Sequence, residues 1–296
     1  MKTIGFIGLG NMGAPMARNL AAAGYKATCY DIAPTALAAA REAGLDTTGS
    51  AAEAAAGRDA VVTMLPDGAI LLGVYREIVP AVAAKTVLLD CSTVDVASAR
   101  EAHGMAAAAG LPSVDAPVSG GVAGAAAGTL TFMAGGTADA FAAVKPLFDV
   151  MGRNAFLCGP AGAGQATKIC NNMILGISMI GVCEALNLAQ GLGLDRQVVF
   201  DVVSNSSGSC WSMNTYCPAP GVGPRSPADD DYRPGFMAAL MLKDLRLGQQ
   251  AAAECGAATP LGAHATRLYE ELVAAGGARK DFSAMIQHLA ALARED

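Results

Sequence analysis

The hexapeptide Gly8-Leu9-Gly10-Asn11-Met12-Gly13 follows the apolar run Thr3–Ile7 and opens a helical stretch. Eighteen residues after its last glycine comes Asp31, which ends a second apolar run. This places a strand, a glycine turn, a helix and a second strand in order at the start of the chain, a pattern that reads as a dinucleotide site. The glycines let the backbone turn tightly and approach a pyrophosphate, and the helix N-terminus offers N–H donors and the positive end of a dipole. The turn residues Gly8, Gly10, Asn11, Met12 and Gly13 are therefore candidate cofactor contacts, and the Asp31 carboxylate is a candidate acceptor for ribose hydroxyls. Ile32, Ala33 and Pro34 follow Asp31, with no Arg or Lys to hold a 2′-phosphate, so NAD is expected rather than NADP.

Composition sets the frame around this motif. A chain of 296 residues, 53% apolar and 16% charged, is globular and long enough for two domains. A net charge of −6, with Lys and Arg dispersed, gives no electrostatic footprint for nucleic acid or an anionic membrane, and neither partner is expected. The eight cysteines form no C-x-x-C pair, which fits reduced thiols in a cytosolic protein, and no metal site is expected. His103, His264 and His288 stand isolated on helical segments and read as packing or surface residues. Only Met1 and Lys2 precede the first strand, so no signal or transit peptide is expected. The longest apolar stretch, Ile169 to Ala189, is interrupted by Asn171, Asn172, Glu184 and Asn187. Its unbroken core, Met173–Cys183, is about half of the roughly 20 residues a membrane span needs, so a buried helix is expected.

Up to about residue 162, β-rich runs alternate with alanine-rich helical segments: Thr3–Leu9, Lys26–Asp31, Asp59–Leu65, Thr86–Ser92, Leu111–Val118, Thr129–Gly135 and Asn154–Gly159. Such alternation predicts an α/β domain of Rossmann type over 1–162, with a mostly parallel, doubly wound sheet. Beyond Gly164 the β signal disappears. Helical periodicity follows near 164–192, 195–205, 236–255, 260–276 and 281–293, predicting an all-α domain over 163–296 joined through the long first helix. Between two of these helices, Ser206 to Pro234 holds five prolines, two Tyr and the only Trp. Loops of that length are commonly lids or binding loops, and the aromatics favour an ordered one, although packing of Trp211 on the α-domain explains its presence equally well.

Oxidation of an alcohol carbon by a nicotinamide needs a group that moves a proton on or off the oxygen. No histidine here is a strong candidate, but Lys168 sits at the start of the long helix with Asn172 four residues on, hence on the same face. A solvated lysine is the commoner situation for any single Lys. Against it, no carboxylate lies nearby in sequence, and cations are mildly disfavoured at helix N-termini. To act as a base Lys168 needs a pKa below its ordinary value of about 10.4, which desolvation and nearby positive charge, from oxidised nicotinamide or Lys243, would promote. Asn172 would hold the lysine and the substrate hydroxyl in line. The segment Asp115-Ala116-Pro117-Val118-Ser119-Gly120-Gly121 ends a strand in a turn presenting a hydroxyl and backbone N–H groups, suited to a carboxylate but also ordinary as structure. Leu65-Pro66 and Ser92-Thr93 fall at strand C-terminal ends, where a parallel sheet exposes its ligand crevice, which makes Leu65, Pro66 and Thr93 cofactor candidates.

In this order the motifs Phe6–Gly13, Asp115–Gly121, Gly164-x-x-x-Lys168-x-x-Asn171-Asn172 and Lys243-Asp244-Leu245 resemble the β-hydroxyacid dehydrogenase family over essentially the whole chain. The resemblance implies catalysis by Lys168, with Asn172, Ser119, Gly120 and Gly121 on the substrate. It also implies that Trp211, Tyr216, Phe236 and Asp244 close the site, that Lys243 lies near the nicotinamide, and that the protein is a homodimer or homotetramer. Segment Ser206–Gly221 is similar to that of members oxidising 3-hydroxyisobutyrate to methylmalonate semialdehyde in valine breakdown, rather than of members reducing tartronate semialdehyde. The mitochondrial members carry a transit peptide, so a start at Met1 implies a bacterial, cytoplasmic protein. The same chemistry on L-serine, glycerate or tartronate semialdehyde, or a small ω-semialdehyde stays open, as does a non-enzymatic dinucleotide sensor or scaffold. A phosphogluconate-type substrate fits less well, because no arginine cluster stands near the motifs.

Overall fold

In the computed structural model, which describes residues 1–292, the chain divides into two compact units, Met1–Lys168 and Ile169–Asp296. The sequence places a boundary after residue 162; by contacts, the first six residues of the long helix belong with the first unit. The structure gives the reason: that helix start is hydrogen-bonded to the sheet, as described below.

The first unit is built on nine strands: β1 (Thr3–Ile7), β2 (Lys26–Tyr30), β3 (Asp46–Thr47), β4 (Ala60–Thr63), β5 (Val87–Asp90), β6 (Ser113–Asp115), β7 (Val118–Ser119), β8 (Leu130–Gly136) and β9 (Gly152–Gly159). Their order is β3-β2-β1-β4-β5-β6-β8-β7, with β9 also paired to β8. Strands β1 to β6 are mutually parallel, while β8 runs antiparallel to β6 and β7. The order reverses between β1 and β4, the topological switch point at which parallel sheets bind ligands beyond their strand C-termini.

Period-two alternation decides which helix covers which face. Ile4, Phe6, Val62 and Leu89 point into a core shared with α1 (Gly13–Ala22), α2 (Pro34–Glu42) and, later in the chain, the helix Ala138–Met151. Ile7, Val61 and Leu88 point the other way, into a core with α3 (Ala51–Ala55), α4 (Gly68–Ile78) and α5 (Val96–Ala108). Full burial of one such side chain contributes roughly 1.5–3 kcal/mol. The remaining first-unit helices are α6 (Gly121–Ala127) and α7 (Ala138–Met151). The sequence reading missed β3, and it ran β6 and β7 together as one strand; Pro117, between them, cannot donate to the ladder.

The second unit is helical: α8 (Ala163–Gly191) begins in the first unit and continues into it, followed by α9 (Arg196–Val203), α10 (Trp211–Asn214), α11 (Ala238–Cys255), α12 (Pro260–Ala274) and α13 (Met285–Leu292). Helix α8 is long and apolar enough to cross a membrane by length and composition, but Met179, Cys183 and Leu186 are fully buried in the core of this unit, together with Met241, Leu245, Tyr269 and Met285. Two of its polar side chains find partners inside the unit: Ser178 lies 3.2 Å from Ser212, and Asn187 donates to the Ile286 carbonyl at 3.0 Å.

Segment 206–234 is ordered. It contains α10 and a short 3₁₀ turn, Pro227–Asp230, closed by a capping box between Ser226 and Asp229. Tyr232 donates to the Pro218 carbonyl at 3.0 Å, and Ser226 Oγ to that of Cys217 at 2.7 Å.

Candidate active site

The glycine turn meets the steric test for a dinucleotide cradle, each glycine for its own reason. Gly8 has φ +99°, and a β-carbon there would collide with the Met64 carbonyl oxygen, so only glycine makes this turn. A β-carbon at Gly13 would collide with the Gly8 carbonyl oxygen, so glycine lets α1 pack directly on the turn. At Gly10 nothing of the protein lies within 4 Å of the added atom. Packing does not demand glycine at that position, and the open space leaves room for a pyrophosphate to approach the backbone. Asp31 follows β2, its Oδ2 accepting from Leu9 N–H at 2.6 Å and its Oδ1 from Ala33 N–H at 2.8 Å. Two backbone donors thus fix the carboxylate beside the turn, with lone pairs left for ribose hydroxyls.

The other first-unit candidates line up along the same sheet edge. Leu65 and Pro66 follow β4, and Thr93 follows β5. Leu65 N–H donates to Ser92 Oγ at 2.8 Å, which joins the two loops, and Ser92 Oγ donates to Asp90 Oδ1 at 2.6 Å. Thr63 Oγ1 donates to the same oxygen at 2.7 Å. Ser119 ends β7, which pairs with the early half of β8 and so extends past the C-terminal end of β6. Gly120 and Gly121 follow with φ +133° and +62°, a left-handed turn at the start of α6.

Burial pushes the Asp90 carboxyl up from 3.8 to about 6, against the pull of its Ser92 and Thr63 hydrogen bonds, and its buried Oδ2 has no hydrogen-bond partner among the described residues. Between those two values the folded protein binds more protons at this group than the unfolded chain, so the stability it contributes is full below about pH 4 and lost as pH rises through 6. An Asp90→Asn variant should therefore show a flatter fall of the urea unfolding midpoint between pH 4 and 6 than the parent. Identical slopes in the two proteins would contradict this assignment.

Lys168 lies on α8 and is only 8% exposed, so the solvated lysine is not what the fold builds. Asp115, at the end of β6, anchors the start of this helix: its carboxylate accepts from Gly162 N–H at 2.8 Å and Gln165 N–H at 3.0 Å. An anion at a helix N-terminus satisfies donors and complements the dipole. His103 Nε2 lies 2.9 Å from the same carboxylate and its Nδ1 2.6 Å from Ser113 Oγ, which makes His103 a packing residue. Gln165, fully buried, ties the helix to the loop after β5.

In the second unit Asn172, 1% exposed, donates through Nδ2 to Asp244 Oδ2 in a short hydrogen bond and accepts from Asn171 Nδ2 at 2.8 Å. Asp244 is buried on α11, and Lys243 Nζ stands 3.4 Å from its other oxygen. Trp211 is half exposed and stacked on Tyr216 with ring centres 4.8 Å apart, so it is not a core residue of this unit. Tyr216 donates its hydroxyl to Asp281 Oδ2 at 2.9 Å; burial, and secondly the neighbouring Asp281 charge, push its phenol up, so it remains a donor. Phe236 meets Phe282 edge-on at 5.7 Å, and its N–H also donates to Asp281. One buried carboxylate therefore organises two of the aromatic candidates.

Asp281, Gln165 and the anchoring role of Asp115 were not read from the sequence. Asp281-Phe282-Ser283 carries an Asx-turn signature that points to local capping, but the partners of Asp281 at Gly235 and Tyr216 lie 46 and 65 residues away.

Residues 3–159 match the family model described as the NAD binding domain of 6-phosphogluconate dehydrogenase, and residues 162–289 one described as NAD-binding of NADP-dependent 3-hydroxyisobutyrate dehydrogenase. The second description covers a region without Asp31, the position at which a Rossmann-type fold distinguishes the two nicotinamide cofactors. Over 293 residues, 99% of each chain, the protein is 47% identical to a probable 3-hydroxyisobutyrate dehydrogenase of Mycobacterium tuberculosis. It is also 47% identical over 286 residues, 96% of each, to an NAD-dependent L-serine dehydrogenase of Pseudomonas aeruginosa. The solved structure of the Mycobacterium tuberculosis 3-hydroxyisobutyrate dehydrogenase with L-serine superimposes with a TM-score of 0.94 at 47% identity, covering 98% of this chain and 99% of that one.

Proposed function

Because the chain belongs to the β-hydroxyacid dehydrogenase family and is an NAD-dependent hydroxyacid dehydrogenase, we propose that it oxidises 3-hydroxyisobutyrate to methylmalonate semialdehyde, as in valine breakdown. The whole-length identity to a probable 3-hydroxyisobutyrate dehydrogenase supports the substrate. The burial of Lys168 in an otherwise apolar helix is the observation that carries its role.

The Gly8–Gly13 turn and Asp31 would hold NAD, whose nicotinamide would supply the acceptor for the hydride lost from the substrate carbon. Lys168 takes the hydroxyl proton as that carbon becomes a carbonyl, and returns it in the reverse direction. Asn172, its amide held by Asp244, orients the hydroxyl. Ser119, Gly120 and Gly121 receive the carboxylate, with Leu65, Pro66, Thr93 and Lys243 on the cofactor and Trp211, Tyr216 and Phe236 on the substrate.

One specific observation favours a second reading, L-serine as substrate: identity to the L-serine dehydrogenase is equally high. The two substrates share the hydroxymethyl and carboxylate groups and differ only in a methyl against an ammonium on the carbon between them, so each presents the same reacting hydroxyl to Lys168. Absorbance at 340 nm with NAD, at mildly alkaline pH, decides between them using both enantiomers of 3-hydroxyisobutyrate, L-serine and D-glycerate. Preferential turnover of one 3-hydroxyisobutyrate enantiomer is expected. A preference for serine would keep the chemistry and overturn the pathway, and NAD binding without turnover of any of them would point to a sensor.

Asp31→Ala is expected to lower the ratio of kcat/KM with NAD to that with NADP by roughly tenfold or more, through loss of a charge-assisted ribose contact. A ratio unchanged from the parent would remove Asp31 from cofactor selection.

A further inference from the structure

We infer, on the reading of Lys168 as the proton-transfer group, that Gln165 is the positioning residue that fixes the cofactor-edge loop carrying Thr93 against the first turn of the lysine's helix. Its side-chain amide binds the loop twice. Nε2 donates to the Ser92 carbonyl at 2.7 Å, and Oε1 accepts from Val94 N–H at 3.1 Å, so the two bonds straddle Thr93. Its own N–H donates to Asp115 Oδ2 at 3.0 Å, which anchors the same turn of helix to the end of β6. Lys168 follows three residues on, about 4.5 Å further along the helix axis.

Gln165 is fully buried, so no water competes for these bonds. The first turn of α8 also sits backbone against backbone on the sheet. A β-carbon at Gly164 would collide with the Met133 carbonyl oxygen, and one at Gly135 would stand 2.8 Å from Gly164 N. With the helix start immobilised in this way, the amide ties the loop after β5 to it on both sides of Thr93. A primary amide presents one donor and one acceptor side by side at every pH, matching a carbonyl and an N–H two residues apart. Ser92 joins the other side of the same network through Leu65 N–H and Asp90, so the clasp extends to the loop after β4.

Gln165→Glu tests this with the clasp made titratable. A carboxylate there has no donor for the Ser92 carbonyl, whereas a protonated carboxyl restores both bonds, and burial favours the protonated form. The kcat of Gln165→Glu relative to that of the parent should therefore rise about tenfold as pH falls from 9 to 6. Gln165→Met, which keeps the volume and removes both bonds, should lower kcat by roughly 10²-fold, with a smaller change in the KM of the hydroxyacid. Parallel pH profiles for Gln165→Glu and the parent overturn the inference, as does a folded Gln165→Met with kcat within twofold of the parent. If Gln165→Met does not fold, the pH profile of Gln165→Glu alone decides. Lys168→Ala, run alongside, separates the two ideas: near-parental turnover in that variant overturns the proton-transfer reading, and the Gln165→Glu profile then still reports whether the clasp positions the cofactor loop.

Discussion

Lys168→Ala is expected to lower kcat by roughly 10²–10⁴-fold while NAD affinity stays within a factor of a few of the parent's. The size follows from the task. Without a group to take the hydroxyl proton, the alcohol must lose it to water as the carbon is oxidised, and positioned acid–base groups contribute by that order. The selectivity follows from the architecture, because Asp31 is held beside the Gly8–Gly13 turn by Leu9 N–H and Ala33 N–H, and the turn itself by the bond from Gly8 N–H to the Tyr30 carbonyl. Stopped-flow turnover with NAD, beside fluorescence titration of the cofactor, checks both halves. Near-parental kcat would sink the assignment, and a collapse of NAD binding would relocate the role of Lys168 to the cofactor.

Asp281→Ala should be the most destabilising single change among the polar residues of the second unit, by roughly 3–5 kcal/mol. Asp281 is fully buried and accepts five hydrogen bonds: Ser283 N–H and Oγ on Oδ1, and Tyr216 hydroxyl, Gly235 N–H and Phe236 N–H on Oδ2. Alanine would leave these donors without their acceptor, each at a cost of about 1–3 kcal/mol before relaxation and water entry reduce the sum. Urea unfolding at pH 7 measures the loss, and a change below about 1 kcal/mol would contradict the picture of a central acceptor. The sole tryptophan, Trp211, stacks on Tyr216, so its emission reports whether this aromatic group loosens before the unit unfolds.

The parts of the fold that were legible in the sequence rest on short-range periodicity. The runs Thr3–Leu9 and Lys26–Asp31 read as strands because they are β-rich, short and bounded by turn residues, and they fold as Thr3–Ile7 and Lys26–Tyr30; the helices of the second unit read as helices because their apolar residues recur along one face. The two-residue strand β3 and the separation of β7 from β6 were not legible, because pairing partners rather than local propensity define such short strands. For the candidate site, sequence gave residue types in sequence order: the glycine turn, Asp31, Lys168 with Asn172, and Lys243 with Asp244. It did not give their supports. Gln165 reaches residues 71 and 73 positions earlier, and no local signal distinguishes it from an exposed glutamine.

By itself the sequence determined an α/β first half of Rossmann type, an α-helical second half, the dinucleotide turn and the candidate proton-transfer lysine. Each of these depends on patterns spanning a few turns or strands, where chain geometry relates neighbours directly. Only the tertiary structure decided that Lys168 is buried rather than solvated, that Asp115 anchors its helix, and that Asp281 gathers Tyr216 and Phe236 around one carboxylate. The physical reason is that burial and the pairing of polar groups are set by which distant segments meet, and a buried donor takes whatever acceptor the packing brings within about 3 Å.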